Sequence, residues 1–231
     1  MLRLLTALSC LWLTLCPSAT ARADDTEEKA IRFVQQLGGK VVRDEKAPGK
    51  PITEVHLNGT SVRDADLKNL TGLSELQALF VYDTGITDAG LKEITGFKKL
   101  NHLDLSNTKV TDEGTKEIAK HSEMFLLNLM GTGVTDKGMK EIGKLTKLNY
   151  LTLGHGVTDA GLKELAGLKE LDCLVVIGNG ITDTGLTELT GLKTLTRVAL
   201  NYTAVTDAGV EKLQKAIPKC EISNVKRKGK K

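Results

Sequence analysis

Histidine and cysteine are the residues of this 231-residue chain with the widest chemical reach, and there are four of each. The histidines are His56, His102, His121 and His155. His102 precedes Asp104 by two residues, a spacing that puts an imidazole and a carboxylate on one face of a strand. Such a pair can share a hydrogen bond and move protons, and a metal-assisted enzyme centred on His102/Asp104 is the reading it would support. His56 falls two strands from His102 in the register set out below, a backbone gap of ~10 Å with Phe80 between them. Zinc–nitrogen bonds of ~2 Å do not close that gap. The plainer reading of His102 and Asp104 is a polar surface pair. The chain contains no G-x-S-x-G elbow, C-x-x-C, P-loop or H-E-x-x-H, so no recognised catalytic motif is present. A non-enzymatic protein without metal or cofactor is expected.

What must position these residues is a repeat. Six stretches reading (V/I)-T-D-x-G begin at Ile86, Val110, Val134, Val157, Ile181 and Val205, in steps of 24, 24, 23, 24 and 24 residues. A degenerate copy, Val62-Arg63-Asp64, lies 24 residues upstream. A fixed period of this length marks a stacked solenoid. Within one period Leu100, Leu103, Leu105 and Val110 fall at positions 1, 4, 6 and 11. The 4/6 alternation turns Leu103 and Leu105 inward from a short strand and leaves His102, Asp104 and Ser106 outward. The Thr-Asp pair that follows suits a helix start, since its side chains can accept from unpaired first-turn amides. Gly96, Gly167 and Gly191 are expected to stop the helices.

The pattern L-x-x-L-x-L-x-x-T-x-V-T-D-x-G-L-x-x-L resembles that of leucine-rich repeat proteins over roughly residues 52–222. It is similar to exported bacterial repeat proteins common in planctomycetes, and to the repeats of eukaryotic F-box adaptors. The resemblance implies an α/β horseshoe arc, with a parallel sheet on the concave face and short α-helices on the convex face. It also implies an Asn at position 9 that bonds the neighbouring loop. Here Thr84, Thr108, Thr132 and Thr203 replace it, Asn remains only at Asn179, and a looser loop ladder is expected. An F-box role in ubiquitin-dependent degradation would need a helical adaptor-binding domain, and residues 24–50 leave no room for one.

The ends differ from the repeats. Arg3, the apolar Leu4 to Leu15 and the small-x-small Ala21-Arg22-Ala23 read as a secretory signal peptide over residues 1–23. Cys16 ends the apolar run, but Leu15 stands where a lipid-attachment motif needs a small residue. Residues 24–51 read as a capping helix (Thr26 to Leu37) and a strand (Lys40 to Arg43), 52–217 as about seven repeats, and 218–225 as a C-terminal cap. Cleavage would lower the formal charge from +3 to +1, and five of the remaining positives crowd residues 226–231. That tail reads as a disordered end. The folded body is near −4 without it and offers no basic face for nucleic acid. An exported protein, periplasmic or extracellular and monomeric, is expected. Its mature part holds Cys173, facing outward, and Cys220, facing inward, about two strands apart and too far for a disulfide.

The register leaves a set of strand positions without structural duty. Phe80, Tyr82, His102, Asp104, Leu126, Met130, Tyr150, Val175, Ile177 and Arg197 are expected to point out of the concave sheet. Aromatic and aliphatic residues there are candidates for contact with a protein or cell-surface ligand. Rim loops holding Asp83, Asn107, His155 and Tyr202 would have to add area, because seven short strands present only ~300–400 Å².

Overall fold

The computed structural model describes residues 19–178 and 180–225, with side chains from residue 25 to residue 224. Residues 1–18 of the expected signal peptide, the retained Asn179 and the basic tail lie outside the described residues. Nine strands form one sheet in strict chain order: β1 (Lys40–Arg43), β2 (Ile52–His56), β3 (Ala78–Phe80), β4 (His102–Asp104), β5 (Leu126–Asn128), β6 (Tyr150–Leu153), β7 (Cys173–Ile177), β8 (Arg197–Asn201) and β9 (Glu221–Val225). β1 runs antiparallel to β2 and every later pair is parallel. The helices are α1 (Ala19–Gln36), α2 (Asp88–Ile94), α3 (Asp112–Ile118), α4 (Asp136–Ile142), α5 (Asp159–Lys163), α6 (Asp183–Leu189) and α7 (Asp207–Ala216). A 3-10 helix, Asp64–Leu70, fills the helical place of the first repeat. Its sequence has Arg63 where the later repeats have a capping threonine, and no glycine in the first turn. Each strand-to-strand crossover thus carries one helix, which is how parallel strands must be joined.

One continuous core lies between the sheet and the helices. It is built from the predicted inward positions, with Leu79, Leu103, Leu127, Leu151 and Leu174 at 0% exposure. The (V/I)-T-D-x-G motif works across repeats. The Val or Ile is buried. The Thr hydroxyl accepts from a first-turn amide, as Thr87 does from Ala89 N–H. Each Asp also bonds the next repeat: Asp112 Oδ1 accepts from the Thr135 amide and Oδ2 from its hydroxyl, both at 2.7 Å. The same pair recurs from Asp64–Thr87 to Asp183–Thr206. At its last rung the Thr206 hydroxyl and then its amide hold the Asp183 carboxyl below the usual range. The glycine makes room for this ladder, since a Cβ on Gly138 would stand 2.7 Å from Asp112 Oδ1 and 2.9 Å from Thr115 Cγ2.

Two expectations are refined. The helical segments do stop at or just before Gly96, Gly167 and Gly191, with α2 ending at Ile94, α6 at Leu189 and a 3-10 turn at Gly167, but not by left-handed caps. Positive φ is absent there, and the residue after α2, Thr95, is itself right-handed at φ −61°. The chain instead tightens into a three-residue turn, with Phe97 N–H donating to Ile94 C=O at 3.0 Å. None of the position-9 threonines bonds the neighbouring loop: Thr84 Oγ1 donates within its own turn, to the Val81 carbonyl, and Thr203 Oγ1 is buried without a partner. Thr108 and Thr132 close their own turns by donating to Leu105 and Leu129 carbonyls. Backbone bonds join the repeats instead, such as Asn107 N–H to Met130 C=O at 2.8 Å. The capping helix begins earlier than expected, at Ala19, and ends at Gln36 before Gly38, whose φ is +78°. Ala30 and Val34 are its buried contacts with the first repeat.

Candidate functional site: the concave face

Strand pairing fixes the outward rows. One runs Glu54, Ala78, His102, Leu126, Tyr150, Cys173 and Arg197; the next runs His56, Phe80, Asp104, Asn128, Thr152, Val175 and Ala199. Phe80, His102, Asp104, Leu126, Tyr150, Val175 and Arg197 lie in these rows and Ile177 pairs with Asn201 in the next, while Tyr82 and Met130 follow their strands in turns. β1 and β9 extend this surface, since Lys40 pairs with His56, Val42 with Glu54, and Glu221 with Arg197. Nine strands span ~38 Å across the sheet, wider than seven repeats alone provide. Phe80, Tyr82, Leu126, Met130, Tyr150, Val175 and Ile177 are half-buried. Each keeps a face to solvent.

The polar residues are paired differently from expectation. His102 and Asp104 do not bond each other. His102 Nδ1 lies 2.6 Å from Asn101 Oδ1, while its ring tilts against Phe125 with centroids 5.5 Å apart. Asp104 Oδ1 accepts from both the amide and hydroxyl of Ser106, and Oδ2 from Asn128 Nδ2 at 3.2 Å. Those bonds turn the carboxylate along the strand and away from the ring, so no acid–base pair forms. His56 stacks on Phe80 with centroids 4.5 Å apart and planes 9° apart, and its Nε2 lies 3.3 Å from Glu54 Oε2. Burial lowers the His102 pKa below its ordinary value, opposed by the Glu54 charge. Among the described residues no group of three or more His, Cys, Asp or Glu is arranged to hold a metal ion, and no helix is long and apolar enough to cross a membrane.

Cys173 occupies its expected outward row yet is only 5% exposed, because Tyr150 and Arg197 in register beside it cover a smaller side chain. Cys220 is buried as expected, and both thiols are free. Burial raises both, Cys220 to about 11. Neither is a reactive thiolate at neutral pH.

Three hollows line the face. The largest, about 400 Å³, lies at the N-terminal end against Lys40, Val42, His56, Asn58 and Tyr82. One of about 140 Å³ sits over Ala78, and one of about 320 Å³ lies between Tyr150, Val175, Arg197 and Glu221. Sequence reasoning missed Phe125, at 44% the most exposed large apolar side chain among the described residues. The sign was present: position 2 is polar in the other repeats (Gln77, Asn101, Asn149, Asp172, Thr196) and Phe only here. Tyr202, on the rim, is 43% exposed and held at φ +58°, a conformation costly for a bulky side chain.

A family description reading "Leucine Rich repeat" matches residues 98–119 and 191–213. No curated protein matches the chain in sequence. Among solved structures, internalin C2 from Listeria monocytogenes is similar over 88% of this chain and 96% of its own, at 19% identity and a TM-score of 0.56. A Leptospira interrogans LRR protein is similar over 67% of this chain and 38% of its own, at 24% identity and a TM-score of 0.51. At these identities the likeness speaks for the fold. In repeat and in architecture, the chain is a leucine-rich repeat protein.

Proposed function

We infer that the chain is a non-enzymatic, exported binding module whose concave face engages a protein or cell-surface ligand. One observation carries the reading. Five outward strand positions and two turn positions just after their strands, which the solenoid leaves free of core duty, are occupied by Phe80, Leu126, Tyr150, Val175 and Ile177, and by Tyr82 and Met130. Water-facing positions on a sheet cost nothing to fill with polar residues, whereas aromatic and aliphatic side chains there supply the desolvated centre that binding needs. Phe125 and the strained Tyr202 extend the contact to the two rims and bring the available area closer to the ~800 Å² of a standard interface. Export is proposed on Arg3, the apolar Leu4 to Leu15 and the Ala21-Arg22-Ala23 site.

The test is affinity capture from the exported fraction of the native cell. The wild-type chain is expected to retain a specific partner that the Phe80→Ser/Tyr82→Ser/Tyr150→Ser variant loses at least tenfold, with circular dichroism unchanged. Recovery of the same partner at the same yield by the triple variant would remove the concave site. Mature protein whose N-terminal sequence begins upstream of Asp24 would remove the proposed cleavage after Ala23.

A further inference from the structure

The hollow over Ala78 is bounded by Glu54, Ala78 and His102 in one row, with Phe80 above and Thr53 and Gln77 below. Its existence follows from size. Ala78 is the smallest side chain of a row otherwise filled by Glu54, His102, Leu126, Tyr150, Cys173 and Arg197, so the two flanking side chains stand over a gap one strand wide.

The polar atoms at the two ends of this gap are both acceptors. Glu54 is a carboxylate, with Oε2 beside the His56 ring and Oε1 left to a ligand. Asn101 presents its oxygen to His102 Nδ1 at 2.6 Å, so the ring proton sits on Nδ1 and the Nε2 lone pair is the other acceptor. Burial holds that imidazole in its neutral form at physiological pH. Thr53 and Gln77 below can donate as well as accept, but the charge in the hollow is the Glu54 carboxylate, and with a second acceptor at the far end it favours a ligand that donates in two directions and carries positive charge.

On this basis, and resting on the reading of the concave face as a protein-binding surface, we propose that the Ala78 hollow is a socket for an arginine side chain of the partner. Guanidinium fits better than ammonium. β2 and β4 are two strand spacings, ~9.6 Å, apart. A guanidinium donating at both ends reaches ~7 Å between acceptors, against ~5 Å for an ammonium, whose donors diverge only at the tetrahedral angle. The methylene stem lies on the Ala78 methyl and the Phe80 ring edge.

The test uses the mature chain and the peptide acetyl-Gly-Arg-Gly-amide, followed by NMR of the His102 ring at pH 7.4. A saturating shift is expected, at least tenfold weaker with the citrulline peptide, which keeps the shape without the charge. Glu54→Gln should weaken the arginine response by tenfold or more, and Ala78→Leu should abolish it by filling the gap. Equal response to arginine and citrulline on the unmodified chain would overturn the socket, as would a Glu54→Gln variant that titrates like wild type. The two failures are distinguishable. Partner capture lost in the triple serine variant but kept in Glu54→Gln and Ala78→Leu overturns the socket and leaves the concave interface standing. Capture surviving the triple variant removes the interface and with it the partner's arginine, even where the arginine peptide shifts His102 of the unmodified chain.

Discussion

His121 is the polar member of an apolar column. Leu73, Phe97, Leu145, Leu168, Leu192 and Ile217 hold the equivalent place in their repeats, all at 4% exposure or less, while His121 is 5% exposed and its Nε2 is buried without a partner. Burial, and next the Lys98 charge, lower its pKa below the ordinary 6.5; the Phe97 carbonyl and Glu117 oppose this. A folded-state pKa below the unfolded one means that protons favour the unfolded chain. The full stability is therefore present above about pH 6.5 and declines as pH falls from there to the folded pKa. His121→Leu, which keeps the column and removes the orphan nitrogen, is expected to raise stability by about 1–2 kcal/mol at pH 7.5, and by more at pH 5. Urea unfolding at the two pH values checks this, and an equal gain at both would contradict a titrating His121. The residue is legible in sequence as a departure from its column, although its burial depends on Phe97 and Leu145 in the repeats beside it.

At the scale of the element, the Thr-Asp-x-Gly turn makes a prediction against ordinary helix propensity. Gly138 lies inside α4, where alanine would gain about 1 kcal/mol in an isolated helix. Its added Cβ would meet Asp112 Oδ1 and Thr115 Cγ2 below 3 Å, and the Asp112 carboxylate cannot retreat without breaking its bonds to Thr135 and to Gly138 N–H at 3.0 Å. Overpacking of this kind costs about 1–3 kcal/mol. Gly138→Ala is accordingly expected to lower the thermal midpoint, while Gly96→Ala, with open space around it, should not; a stabilising Gly138→Ala would contradict the ladder. The strands, their register and the helix starts were readable because leucine spacing and the capping threonine are local signals. The bond from each Asp to the next repeat was not, since a 24-residue period says that neighbours are alike without saying which atoms meet. The places where the helices end were readable from Gly96, Gly167 and Gly191, but the kind of turn was not, because glycine suits several turns and only backbone angles distinguish them. The His102–Asp104 pair failed for a related reason: register puts both on one face, but Ser106, Asn128 and Asn101 compete for their polar atoms.

At the scale of the whole molecule, one sheet carries a core face and a free face along its entire length. Repetition spends the inward positions on leucine and frees the outward ones, so the proposed function is read from the departures from repetition, Ala78, Phe80, Phe125 and Tyr150 among them. Stability in such a stack is a sum over neighbouring units, which lets surface rows vary without cost to the fold. The most direct test is photocross-linking from the two faces. A benzophenone amino acid would replace Tyr150 on the concave row or Lys140, exposed on α4, and the chain would be illuminated with the exported fraction of the native cell. The concave-face account predicts a discrete adduct from position 150 and none from position 140. A discrete adduct from position 140 with none from position 150 would contradict it.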